Sequence, residues 1–172
     1  MNRRMLTAAA GVFLLGISLI ASALPPPSRI VSKKLPPPAR PVPPPPARAV
    51  WLTSMGEARA IARRERKVIL VNFTGSDWCP WCIRLHDEVF IRKPFLDYAA
   101  RHLVLLTVDF PRSKWQTPAQ KRENAELARR YGIRGYPTIL LLDPDGRVIG
   151  QTGYRKGGPI PYVDHLKSML RR

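Results

Sequence analysis

The chain has only two cysteines, and both lie in the segment Trp78-Cys79-Pro80-Trp81-Cys82. Two thiols three residues apart can close a disulfide and pass it to another pair of thiols. The segment follows an apolar run typical of a buried strand and begins a helix, so free N–H groups and the helix dipole would stabilise a thiolate at Cys79. Cys82 could then attack a mixed disulfide at Cys79. The pattern predicts thiol–disulfide exchange, with Cys79 as the nucleophile and Cys82 as the resolving thiol.

Three other interpretations of the cysteine pair remain open. A purely structural disulfide closes so short a loop that it would stabilise the fold by only about 2 kcal/mol. A metal site needs more ligands than two thiolates, and of His86, His102 and His165 only His86 is near the pair in sequence. Two unrelated buried thiols are the third alternative. We favour redox exchange, with no metal and no cofactor beyond the cysteine pair itself.

Hydrophobic patterns predict the elements that position this pair. Ser54 followed by Glu57 is a capping box, which indicates the start of a helix. Val68-Ile69-Leu70-Val71-Asn72-Phe73 is a β-branched, apolar run typical of a buried strand, and Pro80 suits the first position of the following helix. The predicted order is helix 54–67, strand 68–73, helix 79–89, strand 103–109, helix 117–131, strands 138–142 and 147–151, and helix 161–170.

This order predicts an α/β sandwich around one central sheet. Strands that alternate with helices favour parallel pairing and right-handed crossovers. The turn sequence Asp143-Pro144-Asp145-Gly146 joins the last two strands into an antiparallel terminal hairpin. We therefore expect residues 51–172 to form a mixed sheet of about four strands between two layers of helices.

The strand, the short loop and the Trp-Cys-x-x-Cys segment resemble the thioredoxin superfamily, as does Gly135-Tyr136-Pro137-Thr138 before the next strand. The resemblance covers residues 51–172 and is greatest to exported thioredoxin-like domains, such as the C-terminal domain of the bacterial transmembrane disulfide reductase. It implies a cis peptide bond at Pro137, a Pro137 loop against the dithiol, and a Tyr136 backbone that pairs with a substrate strand. A cis proline makes a sharp turn without donating a hydrogen bond, which leaves neighbouring backbone groups free for a partner.

One position beneath the cysteines departs from the family pattern. Thioredoxins usually have an aspartate on this strand, where the present chain has Asn72, and an asparagine cannot accept the proton of the resolving thiol. His86 lies one helical turn beyond Cys82, and a histidine titrates near neutrality. We predict His86 as a proton shuttle, with a partly exposed structural histidine as the alternative.

The residues beside Cys79 bear on the direction of electron flow. Pro80-Trp81 matches neither the Gly-Pro of reducing thioredoxins nor the Pro-His of strongly oxidising enzymes. Pro80 removes one possible N–H donor to the thiolate, and Asp77 adds a nearby negative charge. Both effects oppose a very low pKa of the Cys79 thiol, so we favour a reductant.

Two tryptophans, Trp78 and Trp81, flank the nucleophile. Exposed aromatic surface beside a reactive thiol suits the docking of protein substrates, although one ring packed on the core is the alternative. Residues 110–118, which include Trp115, form a long strand-to-helix connection that could shape the same surface. The predicted substrate-binding residues are Trp78, Trp81, Tyr136 and Pro137.

The first fifty residues differ in composition from the rest. Two arginines and an uncharged run over residues 5–24, closed by Ala21-Ser22-Ala23, are the parts of a secretory signal peptide. We predict a signal peptide over residues 1–23 or, alternatively, a retained anchor that tethers the chain to the inner membrane. Residues 24–50 hold 11 of the 19 prolines and predict a semi-rigid linker. Both alternatives place the domain in an exported compartment, the bacterial periplasm.

The net charge of +17 would suit nucleic acid, but its distribution argues against that class. Two basic residues precede residue 24 and five lie in the linker, so residues 51–172 carry +10. An exported protein seldom meets nucleic acid, and no nucleic-acid motif accompanies the charges. The one basic cluster lies on a single predicted helix and comprises Arg59, Arg63, Arg64, Arg66 and Lys67.

Together these features predict an exported, monomeric thiol–disulfide oxidoreductase that reduces protein disulfides. A partner redox protein would supply or withdraw its electrons. The alternative is a non-catalytic thioredoxin-fold adaptor that binds a partner at the membrane surface through its fold and the basic helix.

Overall fold

The computed structural model of the protein describes residues 49–171. The predicted signal or anchor segment and nearly all of the predicted linker lie outside these residues, so both stay predictions. None of the helices in the described part is long and apolar enough to cross a bilayer.

The described residues alternate between strands and helices as the sequence predicts. The strands are β1 (Trp51–Leu52), β2 (Val68–Thr74), β3 (Leu103–Asp109), β4 (Thr138–Leu142) and β5 (Val148–Thr152). The helices are α1 (Met55–Glu65), α2 (Pro80–Leu85), α3 (Lys93–His102), α4 (Pro118–Arg130) and α5 (Pro159–Leu170). A π-helical segment, His86–Phe90, continues α2 directly.

The strands form one mixed sheet in the order β1-β3-β2-β4-β5. β3 pairs in parallel with β1 and β2, whereas β4 pairs antiparallel with β2 and β5. The predicted mixed α/β fold is therefore confirmed, with the terminal hairpin attached directly to β2. Because β2 is central and paired on both sides, the chain that leaves its carboxyl end starts from a fixed position.

Two elements were not predicted from the sequence. β1 has only two residues, which is too short to show an alternating pattern. α3 follows the π-helical segment with no strand between them, so its apolar stripe of Phe95, Tyr98 and Ala99 continues the preceding helical pattern. The start of α3 is marked only by Pro94 in its first turn.

Each face of the sheet is covered by its own apolar core. One core includes Phe95 of α3 and Tyr162 of α5, and the other includes Met55 of α1 and Leu127 of α4. Successive side chains of the strands point to opposite faces and so contribute to both cores. Full burial of one large apolar side chain stabilises a fold by about 1.5–3 kcal/mol, so both layers hold β2 in place.

Candidate functional site

The cysteine pair lies where β2 ends and α2 begins, as the sequence predicts. Cys79 is the N-cap of α2, and Pro80 occupies its first turn. The N–H of Cys79 donates to the carbonyl of Gly75 at 2.9 Å. The N–H of Cys82 donates to Sγ of Cys79 at 3.3 Å. The first turn of the helix thus directs one N–H group at the sulfur of the predicted nucleophile.

The two cysteines form a disulfide, with their Cα atoms 5.2 Å apart. Each cysteine is only 4% exposed. The surrounding loops therefore decide which partner reaches the sulfur atoms.

The three histidines weighed as metal ligands lie in separate environments. Within residues 49–171, no group of three or more His, Cys, Asp or Glu side chains is close enough to hold a metal ion. The ring of His102 lies 4.7 Å from the ring of Tyr98. His165 Nε2 lies 3.0 Å from the hydroxyl of Thr152.

Trp78 holds together three segments on one side of the disulfide. Its indole N–H donates to the carbonyl of Phe110 at 2.7 Å, and its ring meets the Tyr136 ring edge-on at 5.8 Å. The guanidinium of Arg112 lies over the same ring, 4.2 Å from its centroid. The indole lies so close to Gly75 that a Cβ there would overlap it. Trp78 is therefore half buried and borders the site as a fixed side chain.

Asp77 fastens the loop that follows β3 to the loop that carries the cysteines. Its carboxylate accepts hydrogen bonds from the N–H groups of Arg112 (3.0 Å), Ser113 (2.7 Å) and Lys114 (3.3 Å). These backbone donors, that of Ser113 above all, hold the pKa of Asp77 well below its ordinary value. Asp77 therefore stays a carboxylate at neutral pH, and the hydrogen bonds fix its position next to the cysteine loop.

Trp81 lies in the first turn of α2 and is 49% exposed. Its ring packs against Tyr154 at 5.1 Å, and Arg84 lies over both rings, 5.7 Å and 5.9 Å from their centroids. Glu88 ties the cluster together, because it accepts from Arg84 at 2.7 Å and from the Tyr154 hydroxyl at 2.8 Å. These two hydrogen bonds lower the pKa of Glu88, and the same bond to Glu88 raises the pKa of Tyr154.

The loop before β4 has one of the features that the family resemblance implies. The Tyr136–Pro137 peptide bond is cis. The Tyr136 ring contacts Trp78, as above, and packs against Phe110 at 5.3 Å. On its other side the loop meets the segment after β5, where a Cβ on Gly153 would lie 3.1 Å from the Pro137 carbonyl. Pairing of the Tyr136 backbone with a substrate stays a prediction.

A cleft of about 440 Å³ opens beside Cys82. Its polar lining residues are Asn72, Thr74, Ser76, His86, Asp87, Thr107 and Lys114. Asn72 faces Thr107 across the paired strands, and its Oδ1 is buried with no hydrogen-bond partner among the described residues. His86 shares the cleft with Cys82, and its Nδ1 lies 2.9 Å from a carboxylate oxygen of Asp87. The residues of β2 and β3 that line this cleft are therefore polar but uncharged.

Sequence reasoning missed the partners that hold Trp81. Arg84 and Glu88 are four residues apart, a spacing that predicts an ion pair on a helix surface. Tyr154 carries no such signal, since it lies in the loop after β5 and reaches Trp81 only through the tertiary fold.

Comparison with known proteins agrees with this geometry. Residues 55–158 match the family described as "Thioredoxin-like domain". The chain is 36% identical over 118 residues to the disulfide bond reductase DsbH of Chlamydia pneumoniae, covering 69% of this chain and 71% of DsbH. It is 27% identical over 113 residues to the thiol:disulfide interchange protein DsbD of Colwellia psychrerythraea, covering 64% of this chain but only 17% of DsbD.

A solved structure of a DsbH oxidoreductase superposes with a TM-score of 0.69 at 34% identity, over 77% of this chain and 92% of that chain. The residues matched by the family include both cysteines and Pro137. The chain belongs to the thioredoxin-like domain family and is a protein-disulfide oxidoreductase.

Proposed function

We propose that the chain reduces disulfides of protein substrates in an exported compartment. The observation that carries this proposal is the Cys79–Cys82 disulfide at the head of α2, next to Trp78, whose ring contacts the residue before the cis Pro137. One N–H group points at the sulfur of Cys79, while Pro80 supplies none. A weakly stabilised thiolate favours the disulfide form of the protein and therefore the transfer of electrons to a substrate. The name of the relative DsbH, a disulfide bond reductase, supports the same direction.

The exchange takes two displacements at sulfur. The Cys79 thiolate attacks a substrate disulfide, forms a mixed disulfide and releases the first substrate thiolate. The Cys82 thiolate then attacks Sγ of Cys79, closes the protein disulfide and releases the second substrate thiolate. Two electrons pass to the substrate in each cycle. We propose that a partner redox protein returns two electrons to the Cys79–Cys82 disulfide.

Cys82 must lose its proton before the second displacement, and we assign His86 as the acceptor. Both residues line the same cleft, and the neutral Asn72 on its floor cannot accept the proton. The Asp87 carboxylate beside Nδ1 would hold a proton on that nitrogen, which leaves Nε2 free to accept one.

Substrate docking is proposed for the surface around the disulfide. Trp81 offers half of its surface to a partner. Tyr136 and Pro137 would place the backbone of the cis-proline loop along an extended substrate segment. Trp78 would hold this loop in position through its contact with the Tyr136 ring. We further propose that the domain works as a monomer, and that residues 1–50 export it and either tether it to the inner membrane or are shortened by cleavage after residue 23.

Cysteine variants test this function. Cys79→Ser should abolish reduction of a protein disulfide, whereas Cys82→Ser should accumulate mixed disulfides that survive on non-reducing gels. His86→Gln should slow release of the second thiol at neutral pH and leave the first displacement unchanged, with His102→Gln as the matched control. Full activity of Cys79→Ser would refute the mechanism.

Redox equilibration with glutathione tests the direction of electron flow. A reductant should have a potential below about −200 mV, while a value above about −150 mV would indicate an oxidant instead. Capture of a partner that persists after loss of both thiols would favour the adaptor alternative.

A further inference from the structure

The loops that border the disulfide expose cations. Five exposed basic side chains lie in these loops, and they are Arg112, Lys114, Arg134, Arg155 and Lys156. Among the described residues, no ion pair within 4.0 Å joins any of the five to a carboxylate. Their charges are therefore available to a molecule that approaches the cysteines.

These cations lie near the two tryptophans that flank Cys79. On the Trp78 side, Arg112 covers the indole ring and Lys114 lines the cleft beside Cys82. Arg134 is two residues before Tyr136, whose ring contacts Trp78. Near Trp81, residues 155–156 directly follow Tyr154, whose ring packs on the Trp81 ring.

The carboxylates of the same region are held by other groups. Asp77 accepts three backbone N–H groups, as described above. Asp109 accepts the N–H and the hydroxyl of Ser76 at 2.9 and 2.6 Å. Glu88 is shared by Arg84 and Tyr154, and Asp87 lies beside His86. The carboxylates near the disulfide are thus hydrogen-bonded within the fold, whereas none of the five cations is paired with a carboxylate.

We propose that this face selects polypeptide segments that carry carboxylates on both sides of their cysteine. The inference rests on the proposed reductase function and names the class of substrate. A positive surface around a reactive sulfur raises the rate at which acidic segments meet it, and the effect declines with salt. The half-exposed ring of Trp81 supplies the apolar contact between the two groups of cations.

Single-turnover kinetics with matched peptides test the proposal. The full-length chain, reduced at Cys79 and Cys82, is mixed with peptides that hold one cysteine in a disulfide with mercaptoethanol. The peptides differ only in four flanking residues, which are Glu, Gln or Lys. The neutral hydroxyethyl disulfide serves as a substrate without flanking charge. Oxidation of the protein is followed by tryptophan fluorescence.

We expect the Glu peptide to react about tenfold faster than the Lys peptide at low salt, and the ratio to fall towards one near 0.5 M salt. The double variant Arg155→Gln with Lys156→Gln should slow the Glu peptide about fourfold, near twofold for each charge removed. It should leave the hydroxyethyl disulfide rate unchanged. The matched control is Arg101→Gln with Arg147→Gln, two exposed cations at the opposite end of the sheet, which should change neither rate.

Equal rates for the three peptides, with normal reduction of hydroxyethyl disulfide, would overturn this inference and leave the reductase function intact. No reaction with any disulfide would overturn both. If the Arg155/Lys156 variant loses binding to phosphatidylglycerol vesicles while its peptide rates are unchanged, the cations serve an anionic lipid surface, and the substrate proposal is wrong.

Discussion

The two tryptophans that flank Cys79 lie in opposite kinds of environment. Trp78 donates a hydrogen bond, touches Tyr136 and Arg112, and closes over Gly75. Trp81 is half exposed and packs against Tyr154 and Arg84. The same residue type thus fixes a loop at one position next to Cys79 and offers an exposed contact surface at the other. Sequence position alone does not separate these roles, because both residues are next to the nucleophile.

The largest effect is expected from Trp78→Ala. Removal of the indole deletes its packing and leaves the Phe110 carbonyl without its donor, so the free energy of unfolding should fall by about 3 kcal/mol. Denaturant unfolding of the oxidised protein measures this. Trp78→Phe keeps most of the packing and should lose about 1 kcal/mol. Equal stability of Trp78→Ala and the parent chain would show that Trp78 does not hold these segments together.

A smaller loss of stability is expected from Asp77→Asn, and it should depend on pH. The backbone donors lower the pKa of Asp77 in the folded state from its ordinary value of 3.8. The stabilisation is therefore complete above pH 3.8 and is lost as the pH falls through the lower folded pKa. The difference in urea midpoint between parent and variant should be largest at pH 7 and smaller at pH 3. A difference that is unchanged or larger in acid would contradict this assignment.

The smallest effect on stability is expected from Trp81→Ala, within about 1 kcal/mol, because the side chain is half exposed. Its effect should appear in the reaction instead, as slower reduction of a protein disulfide with unchanged reduction of hydroxyethyl disulfide. Ile149→Ala is the control for loss of an exposed apolar side chain, since Ile149 is 45% exposed and lies near Val68 and Asp143, away from the disulfide. If both variants reduce the protein disulfide at the same rate, Trp81 does not contribute to substrate docking.

Local sequence pattern accounts for the framework of the site. The apolar run of β2 and the proline after Cys79 place the cysteines at the strand-to-helix junction, and the family resemblance adds the cis bond at Pro137. Short-range physical rules suffice here because the determining residues are neighbours in the chain.

The remaining features depend on residues that are distant in sequence. The sequence indicates only that Asp77 is a charge beside the thiol. The fold brings the N–H groups of residues 112–114 to its carboxylate. The sequence around Tyr154 indicates only a loop, but in the fold the Tyr154 ring packs against Trp81. Such contacts follow from sheet order and loop path, which no local periodicity encodes.

The π-helical segment His86–Phe90 has a consequence for how the chain tolerates changes in length. An α-helix turns by about 100° for each residue, whereas a π turn accommodates one extra residue. Deleting a single residue there would convert the π turn into an ordinary α turn and leave the direction of α2 nearly unchanged, whereas adding one would rotate α2 by about that angle. The chain between Cys82 and Phe95, which is buried in the core, should therefore tolerate the loss of one residue more readily than the gain of one.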